Sequence, residues 1–155
     1  MRFLFKVLFT VFIFCAGFAL GVYSLPIMMA TPAPTQTALS TAANQAKFTA
    51  MFNKNLKGSD FLHFGEGNVF IGEKNIAFEG RLAPGPDYRL YLSPTFVENE
   101  VEFEQHKNTM QFVSMVSSFN GFIVDVPTGI DIEKFSTVVV WCETFGEFIT
   151  AGKYQ

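Results

Sequence analysis

Cysteine is scarce in this chain: Cys15 and Cys142 are the only two among 155 residues. One lies in a long apolar run and the other near the C-terminus, so no disulfide framework is indicated. Histidine is as sparse. His63 and His106 are far apart and have no thiolate pair beside them, so zinc-type ligand spacing is absent. Charge is thin as well, at 16% of residues against roughly 25% in ordinary globular proteins. No cluster of Lys and Arg interleaves with aromatic residues, which argues against nucleic-acid binding. There is no Gly-x-Ser-x-Gly elbow. The glycines of GEGNVFIG, residues 65–72, flank a strand pattern rather than open a helix, so no phosphate cradle is implied. No nucleophile–base set stands out, and no classical catalytic site is expected.

Apolar residues make up 49% of the chain, with twenty Phe and one Trp. That supply suits one packed domain with an appendage, and the length leaves no room for two full domains. Residues 1–29 form the appendage. Arg2 and Lys6 precede an apolar run from Val7 to about Tyr23, and no further charge occurs until Lys47. Such a run is long enough to cross a bilayer as a helix. It exceeds a typical signal-peptide core, although Ala19-Leu20-Gly21 is a tolerable cleavage site, so anchor and removed signal both stand. In either case the positive end stays cytoplasmic, and the rest of the chain is expected outside the cytoplasm, single-pass at the cell membrane. Without Arg2 and Lys6, nine basic residues face fourteen acidic ones, so the outer part is net acidic.

Residues 30–56 read as linker and short helix. The Pro, Thr and Ala of residues 31–45 suggest an extended start. The spacing of Ala42, Ala43, Ala46, Phe48, Met51, Phe52 and Leu56 predicts an amphipathic helix from Ser40 to Lys57, capped by Ser40 or Thr41 and ended by Gly58. Residues 57–153 read as a succession of short strands separated by turn residues: FLHF, NVFIG, IAFEGRL, YRLYLS, ENEVEFEQ, a run near 111–119, FIVDV, STVVVWC and EFITAG. No helix is signalled after residue 58. Asn120-Gly121 is the strongest local hairpin signal. About eight to ten strands with short connections predict an all-β, antiparallel sandwich or barrel-like domain.

In YRLYLS, Tyr88, Leu90 and Leu92 share one face and Arg89 and Tyr91 the other. In ENEVEFEQ, strand alternation would line up Glu98, Glu100, Glu102 and Glu104, either as a solvated face or as an attraction for a divalent cation. Asp87 has a turn-forming role available. His63 reads as a half-buried strand residue, and nothing in the spacing of Met110 or Met115 ties either to it as a haem ligand. Cys142 shares a strand face with Val138 and Val140, while Val139, Trp141 and Glu143 take the other. A buried inert thiol is one reading of it. The other is a reactive or pairing thiol, because Cys142 has no partner in an oxidising space and the strand runs out there.

GEGNVFI, LAPGPDYRLYLS, FIVDVPTGIDIEKFSTVVVWCETF and EFITAG together resemble the DM-thirteen domain family, over roughly residues 57–153. The resemblance implies an all-β extracytoplasmic module of the kind found beside DOMON-type haem- or sugar-binding domains. It implies electron transfer through Cys142, a characteristic turn at Gly85, Pro86 and Asp87, and Trp141 as the residue before the cysteine. A redox partner protein follows from it, and haem enters only by this association. The alternative is a non-enzymatic binding or structural module at the membrane.

Overall fold

Phe48, Ala50 and Phe52 alternate with Thr49 and Met51, and that period of two decides the conformation of the segment. In a computed structural model describing residues 1–155, strand β1 (Phe48–Phe52) buries Ala50 and Phe52 and leaves Met51 exposed. The helix expected over 40–57 lies earlier, as α2 (Gln36–Gln45), following α1 (Arg2–Met29). Thr35 is its N-cap, its side chain accepting from the Ala38 amide at 3.3 Å. Ser40 and Thr41, the expected caps, donate to the carbonyls of Gln36 and Thr37 one turn back. Their hydroxyls are therefore spent inside the helix.

Seven more strands follow: β2 (Gly65–Ile71), β3 (Asn75–Leu82), β4 (Tyr88–Ser93), β5 (Gln111–Val116), β6 (Phe122–Asp125), β7 (Thr137–Cys142) and β8 (Glu147–Lys153). They form two four-stranded sheets, ordered β1-β2-β3-β6 and β5-β4-β7-β8, with every pair antiparallel. One core fills the space between the sheets. Val69, Ile71 and Phe78 meet Leu90, Val138 and Val140 there, all fully buried. The expected faces of β4 and β7 hold: Tyr88, Leu90, Leu92 and Cys142 point into this core. Tyr91, Val139 and Trp141 point to a second cluster on the outer face. On the far side of the other sheet, Leu39 and Ala42 of α2 cover Ala77.

Three further sequence expectations are corrected. ENEVEFEQ is not a strand: it carries helix α3 (Glu100–His106), so helix does occur after residue 58 and the domain is not strictly all-β. Asn99 caps α3 by accepting from the Glu102 amide at 2.9 Å, and Glu102 reaches back to the Glu98 amide at 2.9 Å. Glu100 and Glu102 in the first turn also suit the positive helix end. Sequence alternation is shared by a short helix with one buried residue, and Phe103 supplies that residue. Asn120-Gly121 closes no hairpin, because β5 and β6 belong to different sheets. The segment is a crossover between sheets, with Gly121 at φ +102°. FLHF, finally, is not a strand but part of the connection between β1 and β2.

Candidate functional site

The antiparallel register of β4 and β7 sets Tyr88 opposite Cys142. It thereby brings the Gly85-Pro86-Asp87 turn onto the turn that follows the cysteine. Asp87 fastens the two. Its carbonyl accepts from the Glu143 amide at 3.0 Å, and its Oδ2 accepts from the Thr144 hydroxyl at 3.1 Å. Gly85 is required by close approach: a Cβ there would lie 2.3 Å from the Tyr88 ring. The Tyr88 ring stands edge-on to Phe119, and burial, with a lesser push from Cys142, raises its hydroxyl pKa.

Cys142 is a free thiol, only 3% exposed, at the mouth of the between-sheet core. Burial raises its pKa and the Asp87 charge adds to that, while the backbone amides of Phe145, Asp87 and Thr144 pull it back. The net direction is upward, which favours the neutral thiol. Outside the sulfur lies a groove of about 370 Å³ lined by Leu62, His63, Gly85, Pro86 and Phe145, with Phe18 and Tyr23 of α1 on the far wall. His63 is turned to Asp60, with Nδ1 3.2 Å from Oδ2.

Trp141, next in sequence, serves the other face. Phe103 of α3 stacks flat on it, with centroids 3.9 Å apart and planes within 9°. The Lys107 ammonium lies 5.6 and 5.7 Å from the Phe103 and Trp141 ring centres. Lys107 also donates to Glu143 Oε1 at 3.0 Å, and Tyr91 donates to Oε2 at 3.2 Å. Arg89 Nη1 stands 3.9 Å from Glu143, and its Nε 3.6 Å from Asp87. Partial burial raises the Glu143 carboxyl, yet Lys107 and Arg89 together hold it below its ordinary value. Glu143 is therefore committed to this network, away from the sulfur. Sequence reading missed Lys107, because it lies just beyond a helix that alternation disguised as a strand.

The expected carboxylate row does not exist. Glu98 and Glu102 face Lys57, Glu104 faces Lys107, and Glu100 accepts from the Phe148 amide. The residues weighed as haem ligands are not gathered either. His63 lines the Cys142 groove, Met115 a neighbouring one, and Met110 packs with the Trp141 cluster behind the sheet.

No curated protein and no solved structure matches the chain. A family model described as "Electron transfer DM13" matches residues 51–154, two-thirds of the length and all of the domain from the end of β1 onward. The site just described, with its paired turns and its single thiol, therefore sits within a chain that belongs to the DM13 electron-transfer family.

Proposed function

We propose that this chain is a membrane-held electron-transfer module, a β-sandwich facing out of the cytoplasm, whose redox side chain is Cys142. The observation that carries this reading is a free thiol set by the β4–β7 register beside the Gly85–Asp87 turn, within the residues that the electron-transfer family model matches. The 28-residue α1 is long and apolar enough to serve as the anchor, and Arg2 and Lys6 at its start support an outer position for the domain. The redox step is exchange with a disulfide on a partner protein. Cys142 gives up its proton, its Sγ bonds to one partner sulfur, and the second partner sulfur leaves as a thiolate. No further oxidant is required. Because the sulfur is buried, the residues around it must open for this to occur.

Burial itself favours a second reading, a binding or structural module in which Cys142 is core. The test uses the full chain with Cys15→Ser, so that Cys142 is the only thiol, and the aromatic disulfide 5,5′-dithiobis(2-nitrobenzoate) as probe. Under native conditions, release of thionitrobenzoate should outpace global unfolding and accelerate as pH rises toward the raised thiol pKa. Release at the unfolding rate alone would sink the redox role. Adding Cys142→Ser to that chain should leave it folded at a cost of about 1–3 kcal/mol and release nothing.

A further inference from the structure

The chain leaves α1 directly into one end of the domain. Two residues beyond Met29, the Thr31 amide donates to the Ser117 carbonyl at 2.9 Å, and the Thr31 and Ser117 hydroxyls meet at 3.1 Å. Ala30 packs on the between-sheet core. Two residues span at most about 7 Å, so this end of the domain is tied to the end of the helix. It is the end that holds Cys142, the Gly85–Asp87 turn and the turn at 143–146. The β2–β3 turn, with Glu73 and Lys74, lies at the other end of strands about 20 Å long.

The tethered end is also apolar at its rim. Phe61 is 85% exposed, Leu62 44%, Met115 60% and Phe145 56%, although each is large and hydrophobic. The two grooves between this rim and α1 contain no lysine or arginine in their walls. Beside them α1 lines the grooves from Phe18 to Met29, about 16 Å of its length. The sixteen residues before Phe18 make only about 24 Å of helix, short of the roughly 30 Å of a bilayer core. A spanning α1 therefore draws the rim down to the level of the lipid.

We infer that the Cys142 end of the domain rests on the membrane surface, with Phe61, Leu62, Met115 and Phe145 inserted among the lipids, so that whatever reaches Cys142 reaches it at the bilayer. The attraction is apolar rather than electrostatic, since those walls carry the carboxylates of Glu147 and Asp87 and no lysine or arginine for anionic headgroups. This rests on α1 being a membrane span, as proposed above. The full chain is reconstituted in phosphatidylcholine vesicles with p-benzoylphenylalanine replacing Phe12, Phe145 or Lys74 in turn, then irradiated, and lipid adducts are counted by mass spectrometry. Adducts at 145 as abundant as at 12, with 74 at background, are the expected result. Adducts at 12 but not at 145 overturn the docking and leave the anchor intact. Equal labelling at 145 and 74 overturns the orientation, and protein–protein adducts at 145 assign the rim to a second copy instead. Failure at 12 removes the span, and the docking with it.

Discussion

At Glu143 one carboxylate collects Lys107, Tyr91 and Arg89 while its own backbone amide holds Asp87. Its folded pKa lies below the ordinary 4.5, so its contribution to stability is complete above 4.5 and fades as pH falls through the lower folded value. For Lys107, burial pulls the ammonium down, but Glu143 more than offsets it and the folded pKa lies above 10.5. That contribution is complete below 10.5 and is lost as pH rises through the folded value. Both side chains are about one-third exposed, so screening trims the pair. Glu143→Gln should therefore cost about 1 kcal/mol in urea unfolding near neutral pH. The difference from wild type should close well below pH 4.5. A gap that persists in acid would assign the loss to packing instead of charge.

Among the elements, α3 depends on one side chain. Phe103 is fully buried and lies flat on Trp141, whereas Val101 on the same short helix is 66% exposed. Phe103→Ala should cost about 3–5 kcal/mol, and Val101→Ala less than about 0.5, in parallel denaturant melts. Comparable losses at both positions would mean that helical propensity, and not the stack, holds α3 in place. The crossover from β5 to β6 turns on Gly121. Its φ of +102° disfavours any L side chain, and a Cβ would sit 2.9 Å from the Phe78 carbonyl oxygen. Gly121→Val should lower stability by about 1–3 kcal/mol and reduce the melting temperature accordingly. An unchanged melt would show that the crossover adopts another path.

For the molecule as a whole, the domain extends upstream of the residue at which sequence composition would begin it. β1 pairs with β2 from Phe48↔Ile71 to Phe52↔Gly67 and lays Phe52 in the shared core, while α2 covers the outer face of the same sheet. A chain beginning at Thr31 should therefore melt in one cooperative transition. A chain beginning at Lys57 should melt lower and aggregate, because it uncovers the edge of β2 and empties the Phe52 site. Circular dichroism with light scattering reads both effects. Equal melts for the two chains would show that β1 is dispensable.

The apolar run ahead of the domain, the antiparallel strands and the faces of β4 and β7 were all legible from local pattern. So was Cys142 at the end of its strand. Each depends on neighbours two to four residues apart, where side-chain period and turn chemistry act. Alternation failed at 98–105, because Asn99, Glu102 and the Trp141 platform for Phe103 together stabilise a helix whose apolar pattern fits a strand equally well. Helical spacing failed at 48–52 for the converse reason: the partner strand lies some twenty residues downstream, and its hydrogen bonds outweigh local periodicity. Asn120-Gly121 marks a bend between the two expected strands, but whether those strands pair depends on sheet assignment. The residues around Cys142 come from positions 62, 85 and 145 and from α1, and only tertiary packing gathers them. The sequence by itself determined the elements with a local cause and the thiol at the end of β7. Tertiary structure alone decided that this thiol is covered, that Lys107 and Arg89 hold Glu143, and that its end of the domain is the one joined to α1. Burial, register and chain tether are properties of distant contacts that no short stretch contains.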